Sequence, residues 1–474
     1  MTQPAATSDL PPLILVVSDL HMLTGADPVT GRVNPRENFL ADEAFARFLA
    51  IQRQTVPNGS PLLVINGDSM DFLRITEIPK TDEDFARWEA DLAKIGYHPK
   101  RPLRHTLVKK ERRYGLRTDD YKTVWKFHQI VRGHPAFFAG MGEWVRSGGR
   151  MVFLKGNHDL EFHWTLLHAA IREEMAKYAG ELARGPAIQF HEDWYQIHNV
   201  YIEHGHRFEA MTRVEGETTI FRGEEVKFPF GSFFNKFVIN DLEKLDPFLD
   251  NIKPTSKVLM VAIKRRPLSA FSILYLGARA LRRVVFRERA AHWLTLLLVL
   301  VVIALPILIV LIAILSFIFE PVRTQAWSVI SGRNPIVRIG VIVAAIAPWL
   351  IAGLQEVLRK KKRAHGDDEY GEGIYEALQG RTGSFQQMYG IVGHTHRMDA
   401  QDLGTIGAAR CFYLNSGSWT PRWDEHRPDL NGRVEYSFIR LELVNGEYRH
   451  RLLEWRDDRG EGAPATIYAP PPTR

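Results

Sequence analysis

The chain has 474 residues, 45% of them hydrophobic and 24% charged, the balance of a folded protein with several domains or one domain carrying large insertions. Its single cysteine, Cys411, excludes an internal disulfide and any thiolate metal cluster, and fits a reducing compartment. The net charge of +6 is local: thirteen basic residues against Glu288 leave +12 in two blocks, 264–289 and 359–363, and −6 elsewhere, which argues against a nucleic-acid groove and leaves no nucleic-acid partner expected.

Residues 1–12 read as a loose tail, and 13–18 as a buried strand ending in Asp19-Leu-His21. Apolar positions three and four apart predict a helix over 42–54; a second buried strand, 62–65, ends in Asn66-Gly-Asp68. Strand, loop with an Asp, helix, strand, loop with an Asp is the rhythm of an α/β layered fold. Residues 74–117 interrupt it as a basic insertion, either a solvated excursion or a patch facing phosphate or membrane. A helix over 120–145 then delivers the chain to a third strand, 151–154, followed by Gly156-Asn-His-Asp159. A helix over 164–178 and strand-like pieces lead to His204-Gly-His206.

The rhythm stops over 207–387 and resumes at 388–456, beginning with Tyr389 to Val392 and Gly393-His-Thr-His396. The interruption contains two apolar runs, 293–319 and 337–354. The first has no charged residue and would be about 40 Å long as a helix, longer than the roughly 30 Å hydrocarbon core of a bilayer. The apolar part of the second, 339–354, would reach about 24 Å, with Arg338 snorkelling at its edge. The expected structure is an inserted transmembrane helical hairpin; a buried core hairpin is the alternative. Strands are predicted over 411–414, 435–443 and 448–455, and residues 457–474, rich in Pro and Gly, read as a disordered tail.

The polar residues just beyond predicted strands are Asp19, His21, Asp68, Asn157, His158, His204, His394 and His396. Carboxylate, imidazole and amide donors without thiolate suit divalent ions, Mn²⁺ first and Fe²⁺ or Zn²⁺ as alternatives. One Asp can bridge two such ions, and a pair of ions can activate water and polarise a phosphoryl group. An imidazole beside them can protonate the leaving oxygen.

The ordered set Asp19-Leu-His21, Gly67-Asp68, Gly156-Asn-His-Asp159, His204-Gly-His206 and Gly393-His-Thr-His396 resembles the calcineurin-like metallophosphoesterases over residues 11–206 and 388–456. The resemblance implies an α/β fold in which two mixed β-sheets form a sandwich flanked by helices, with two metal ions at the strand ends. It implies that Asp19, His21, Asp68 and His396 hold one ion, and Asp68, Asn157, His204 and His394 the other. His158 would be the acid and Asp71 the carboxylate orienting it. Within the family, Gly-His-Thr-His-Arg397 and the large insertion are similar to the UDP-2,3-diacylglucosamine hydrolases, whereas Gly-Asn-His-Asp departs from their usual Gly-Asn-Arg-Asp.

The expected protein is a phosphoesterase anchored in the inner or plasma membrane with its catalytic domain cytoplasmic. Its substrate would be a phosphate ester or pyrophosphate, lipid-linked in the first reading and soluble in the second. A metal-free scaffold is the alternative from another class. The sequence carries no signal for an oligomeric state.

Overall fold

Runs such as Leu-Ile-Leu-Val-Val have no amphipathic period because both faces of the strand they form are covered. In β1 (Leu13–Val17), Leu13, Leu15 and Val17 face a helical layer, while Ile14 and Val16 face a second sheet. Strands β2 (Leu62–Asn66), β3 (Arg150–Leu154) and β4 (Ile188–His191) continue parallel to β1 in that order. On its other edge β1 pairs antiparallel with β10 (Ser437–Val444), which continues through β11 (Glu447–Arg456) to β12 (Glu461–Pro464). The result is a seven-stranded mixed sheet.

The second sheet has five strands. Its centre is β7 (Gln387–Val392), parallel to both β6 (Val200–Glu203) and β9 (Ala409–Ser416). Antiparallel edges are added by β5 (Trp194–Ile197) and β8 (Met398–Ile406). Ile14, Val64 and Leu154 from one sheet meet Ile202, Ile391 and Leu414 from the other in a core free of solvent. The outer face of the first sheet packs on α1 (Asp42–Gln54), α4 (Pro135–Arg146) and α5 (Thr165–Ala179). The outer face of the second packs on α6 (Glu369–Leu378) through Ile374 and Leu378. The protein is thus a mixed α/β sandwich of two sheets between helices.

The computed structural model describes residues 10–240 apart from 210, 215, 221 and 222, then 252–253, 369–421, 423–424 and 432–464. These belong to one compact unit, Met1–Ala270 with Glu369–Pro472. Both apolar runs, 293–319 and 337–354, and both basic blocks, 264–289 and 359–363, lie outside the described residues, as do 1–9 of the first tail and 465–474 of the last. Among the described residues no helix is long and apolar enough to cross a membrane.

Several segments differ from their sequence reading. The basic stretch 74–117 contains α2 (Asp82–Lys94), started by a capping box between Thr81 and Asp84, and it buries Ile75, Trp88, Leu92, Leu103 and Leu116 in the main core. The helix expected over 120–145 is two, α3 (Asp120–Gly133) and α4, broken at His134 because Pro135 disfavours helical geometry in the residue before it. Of the tail expected from 457, Glu461–Pro464 is an edge strand on β11, a position where a terminal Pro costs no ladder bond. Residues of the expected 207–387 interruption also pack on the sandwich: α6 covers the second sheet, and Lys236 and Asn240 bond to Leu116 O and Leu73 O.

Candidate metal centre

Parallel neighbours end at the same edge, so the loops leaving β1, β2, β3, β6 and β7 converge. They bring Asp19 and His21, Asp68, Asn157 and His158, His204, and His394 and His396 to one place. The loops are also stitched together: His21 N donates to Asp68 O at 2.9 Å, Asp71 N to Met22 O at 2.9 Å, and Gly393 N to His204 O at 3.0 Å.

Two groups of donors lie side by side. Asp19, His21 and His396 form one and Asp68, His204 and His394 the other, each with its ligand atoms within 4.8 Å of one another. In the first, the Nε2 atoms of His21 and His396 approach to 3.0 Å, and Asp19 Oδ1 lies 3.8 and 3.2 Å from them. In the second, His204 Nε2 lies 3.2 Å from Asp68 Oδ2, and that same oxygen is 3.7 Å from His21 Nε2. Asp68 therefore stands between the groups. Asp71 Oδ2 lies behind, 3.0 Å from His158 Nδ1 and 3.4 Å from His21 Nδ1.

The donor set fits divalent cations. Asn157 Oδ1 is buried without a hydrogen-bond partner, and Asp19 Oδ1 and His204 Nε2 have none beyond the facing His396 and Asp68 groups 3.2 Å away; an unsatisfied buried polar atom costs roughly 1–3 kcal/mol. The remaining atoms are already committed to holding the site. Asp68 Oδ1 accepts from His158 N at 2.8 Å, Asp19 Oδ2 from His394 N at 3.0 Å, and Asn66 O receives His204 Nδ1 at 2.8 Å.

Backbone strain gathers at the same residues. Eight described non-glycine residues have positive φ, and five of them are Asp19, His21, Asp68, His394 and His396, between 48° and 66°. Such conformations cost on the order of 1 kcal/mol each and persist only where surrounding bonds over-determine them. The motif glycines have a steric reason: a Cβ on Gly156 would lie 2.1 Å from Asp68 Oδ1. One on Gly67, at φ 77°, would lie 2.4 Å from His204 Nδ1.

Burial disfavours charge throughout the site, but the mixed charges overrule it. Asp19 and Asp68 are held well below the usual carboxylate range despite burial, chiefly by His396 and by His204 respectively. Burial lowers His204, yet Asp68 brings it up to about 9. His158 is likewise raised against burial by Asp71 and Asp68. Asp159 goes the other way, pushed up to about 6 by burial and then by Asp68.

Four supporting residues, Asp159, Asn415, Ser418 and Glu209, are not among the strand-end candidates. Asp159 receives Gly156 N at 2.6 Å and Ser69 N at 2.8 Å, clamping the β2 and β3 loops. Ser418 Oγ donates to Asp19 O at 2.9 Å, and Asn415 Nδ2 to Gly393 O at 2.8 Å, so the end of β9 and the turn after it brace the loops after β1 and β7. Glu209 Oε2 lies 2.8 Å from His394 Nε2. His206, buried beside His204 with Nδ1 unpartnered, is pushed well below its ordinary value by burial. No family model matches the chain, and no curated protein matches it.

Proposed function

We propose that this chain is a membrane-anchored phosphoesterase, dependent on two divalent ions and resembling the calcineurin-like metallophosphoesterases, that hydrolyses a phosphate ester or pyrophosphate bond of a lipid-linked substrate. The observation that carries this reading is the paired donor groups with Asp68 between them and the His158–Asp71 couple alongside. Asp19, His21, Asp68 and His396 would hold one ion, and Asp68, Asn157, His204 and His394 the other, with Mn²⁺ the first candidate. Bound there, the ions would supply Lewis acidity toward a phosphoryl group and an acidified water.

The chain's own contribution is orientation and a proton. Asp71 accepts from His158 Nδ1–H, which orients the ring and leaves Nε2 as the nitrogen that can give up its proton. Buried beside the Asp71 carboxylate, that ring is suited to donate to a leaving oxygen. Membrane anchorage rests on composition: a run of 27 residues, 293–319, without a charge. The lipid-linked substrate rests on that anchorage.

The test is a turnover screen. The full-length chain, loaded with Mn²⁺, is assayed on soluble phosphomonoesters, phosphodiesters and nucleotide pyrophosphates and on lipid pyrophosphates in mixed micelles. Metal-dependent turnover with two ions per chain is expected, fastest on lipid substrates. Turnover restricted to soluble substrates would overturn the lipid part. A chain that neither binds metal nor turns over any substrate would overturn the whole.

A further inference from the structure

Glu209 lies just beyond β6, at the start of the long interruption, yet it touches a residue 185 positions away. Its Oε2 accepts from His394 Nε2 at 2.8 Å and, at 3.4 Å, from the Tyr370 hydroxyl on the first turn of α6. The Tyr370 ring stands 6.1 Å from the His394 ring. Phe208 holds the cluster from below: its ring is 6.4 Å from Tyr370, and a Cβ on Gly373 would lie 2.3 Å from it. One carboxylate thus joins the loop after β6, the loop after β7 and the helix on which the chain returns.

A carboxylate on one ring nitrogen of a histidine fixes tautomer and ring plane and makes the other nitrogen a better ligand. If Nε2 stays on Glu209, His394 would contribute Nδ1 to the Asp68 and His204 group. The His394 backbone is fixed by its N–H to Asp19 Oδ2, and the bond to Glu209 restrains rotation of the ring.

We propose that Glu209 is a positioning residue for His394, and that through Tyr370 it makes this half of the metal centre depend on the packing of both ends of the long interruption. The proposal rests on the reading of His394 as a metal ligand. The test measures metal affinity rather than turnover. Full-length chains loaded with Co²⁺ or Mn²⁺ are titrated with a chelator. Glu209→Ala is expected to weaken one of two ions by about 10–100-fold and leave the other unchanged. Glu209→Gln, which keeps an acceptor, restores most of that loss, and Tyr370→Phe weakens the same ion by a few fold. In the Co²⁺ form, the exchangeable His394 Nε2 proton should be visible by NMR in the wild type and lost to fast exchange in Glu209→Ala.

His394→Ala separates the failures. Two ions retained in His394→Ala would overturn the reading of the centre itself. One ion lost there while Glu209→Ala binds both as tightly as wild type would overturn the positioning role alone. Equal damage from Glu209→Gln and Glu209→Ala would make Glu209 a ligand, which also overturns it.

Discussion

Asp68 is the residue on which both donor groups depend, because its Oδ2 faces His21 and His204 while its Oδ1 anchors His158 N. Asp68→Ala should therefore abolish activity and remove most bound metal, measured by elemental analysis of the purified chain. His158→Ala leaves every assigned ligand in place, so it should keep both ions and slow turnover by roughly 10²–10⁴-fold, the usual range for a positioned acid. Loss of metal in His158→Ala, with activity surviving in Asp68→Ala, would reverse the roles. Gly156→Ala tests the steric argument: its methyl meets Asp68 Oδ1 at 2.1 Å, so it should lower metal content without removing any ligand. The residues proposed as ligands stand out in the sequence because each follows a buried apolar run. Ser418 and Glu209 could not, since their partners Asp19 and His394 are 399 and 185 positions away and only folding supplies them.

At the scale of elements, the parallel strands were legible because runs covered on both faces have no polar position to confuse. Junctions were less so. An apolar period continues through 120–145, and only the physics of Pro135 separates α3 from α4. The Gly and Pro content around Glu461–Pro464 hid an edge strand whose pairing comes entirely from β11. The α3–α4 junction also carries a charge network. His134 Nδ1 lies 2.9 Å from Asp42 Oδ1 at the start of α1, and Nε2 lies 3.3 Å from Glu37 Oε2. Burial lowers His134, but these two acids raise it to about 9 from its ordinary 6.5. A folded-state value above the unfolded one adds stability that is complete below pH 6.5 and is lost as pH climbs through about 9. The shift corresponds to about 3 kcal/mol at most. Thermal unfolding followed across this window should show wild-type stability falling, with a flatter profile in His134→Gln; parallel profiles would remove His134 as the cause.

For the whole molecule, the proposed ligands divide around the long interruption: Asp19 to His204 precede it, while His394 and His396 follow it, and the sandwich brings them together. Phe48 on α1 strengthens that union by packing on Trp419, Phe438 and Trp455 from the second half. A site assembled from both sides of a membrane segment requires an even number of crossings. If the two apolar runs cross a membrane, the basic blocks at 264–289 and 359–363 that flank them should, by the positive-inside bias, leave both flanks in the cytoplasm. A cysteine at Ser331 should then react with an impermeant reagent on intact cells, over little background because native Cys411 is buried; reaction only after permeabilisation would count against this topology. A hairpin threaded between two halves of one site would also fix the distance from metals to bilayer, which a terminal anchor would not. Replacing residues 291–355 with a short flexible linker separates these roles. If the hairpin presents the substrate, small chromogenic phosphodiesters should be cleaved as before, while lipid-linked phosphates in vesicles are cleaved far more slowly. Equal loss for both substrates, or no loss for either, would leave the hairpin as a tether.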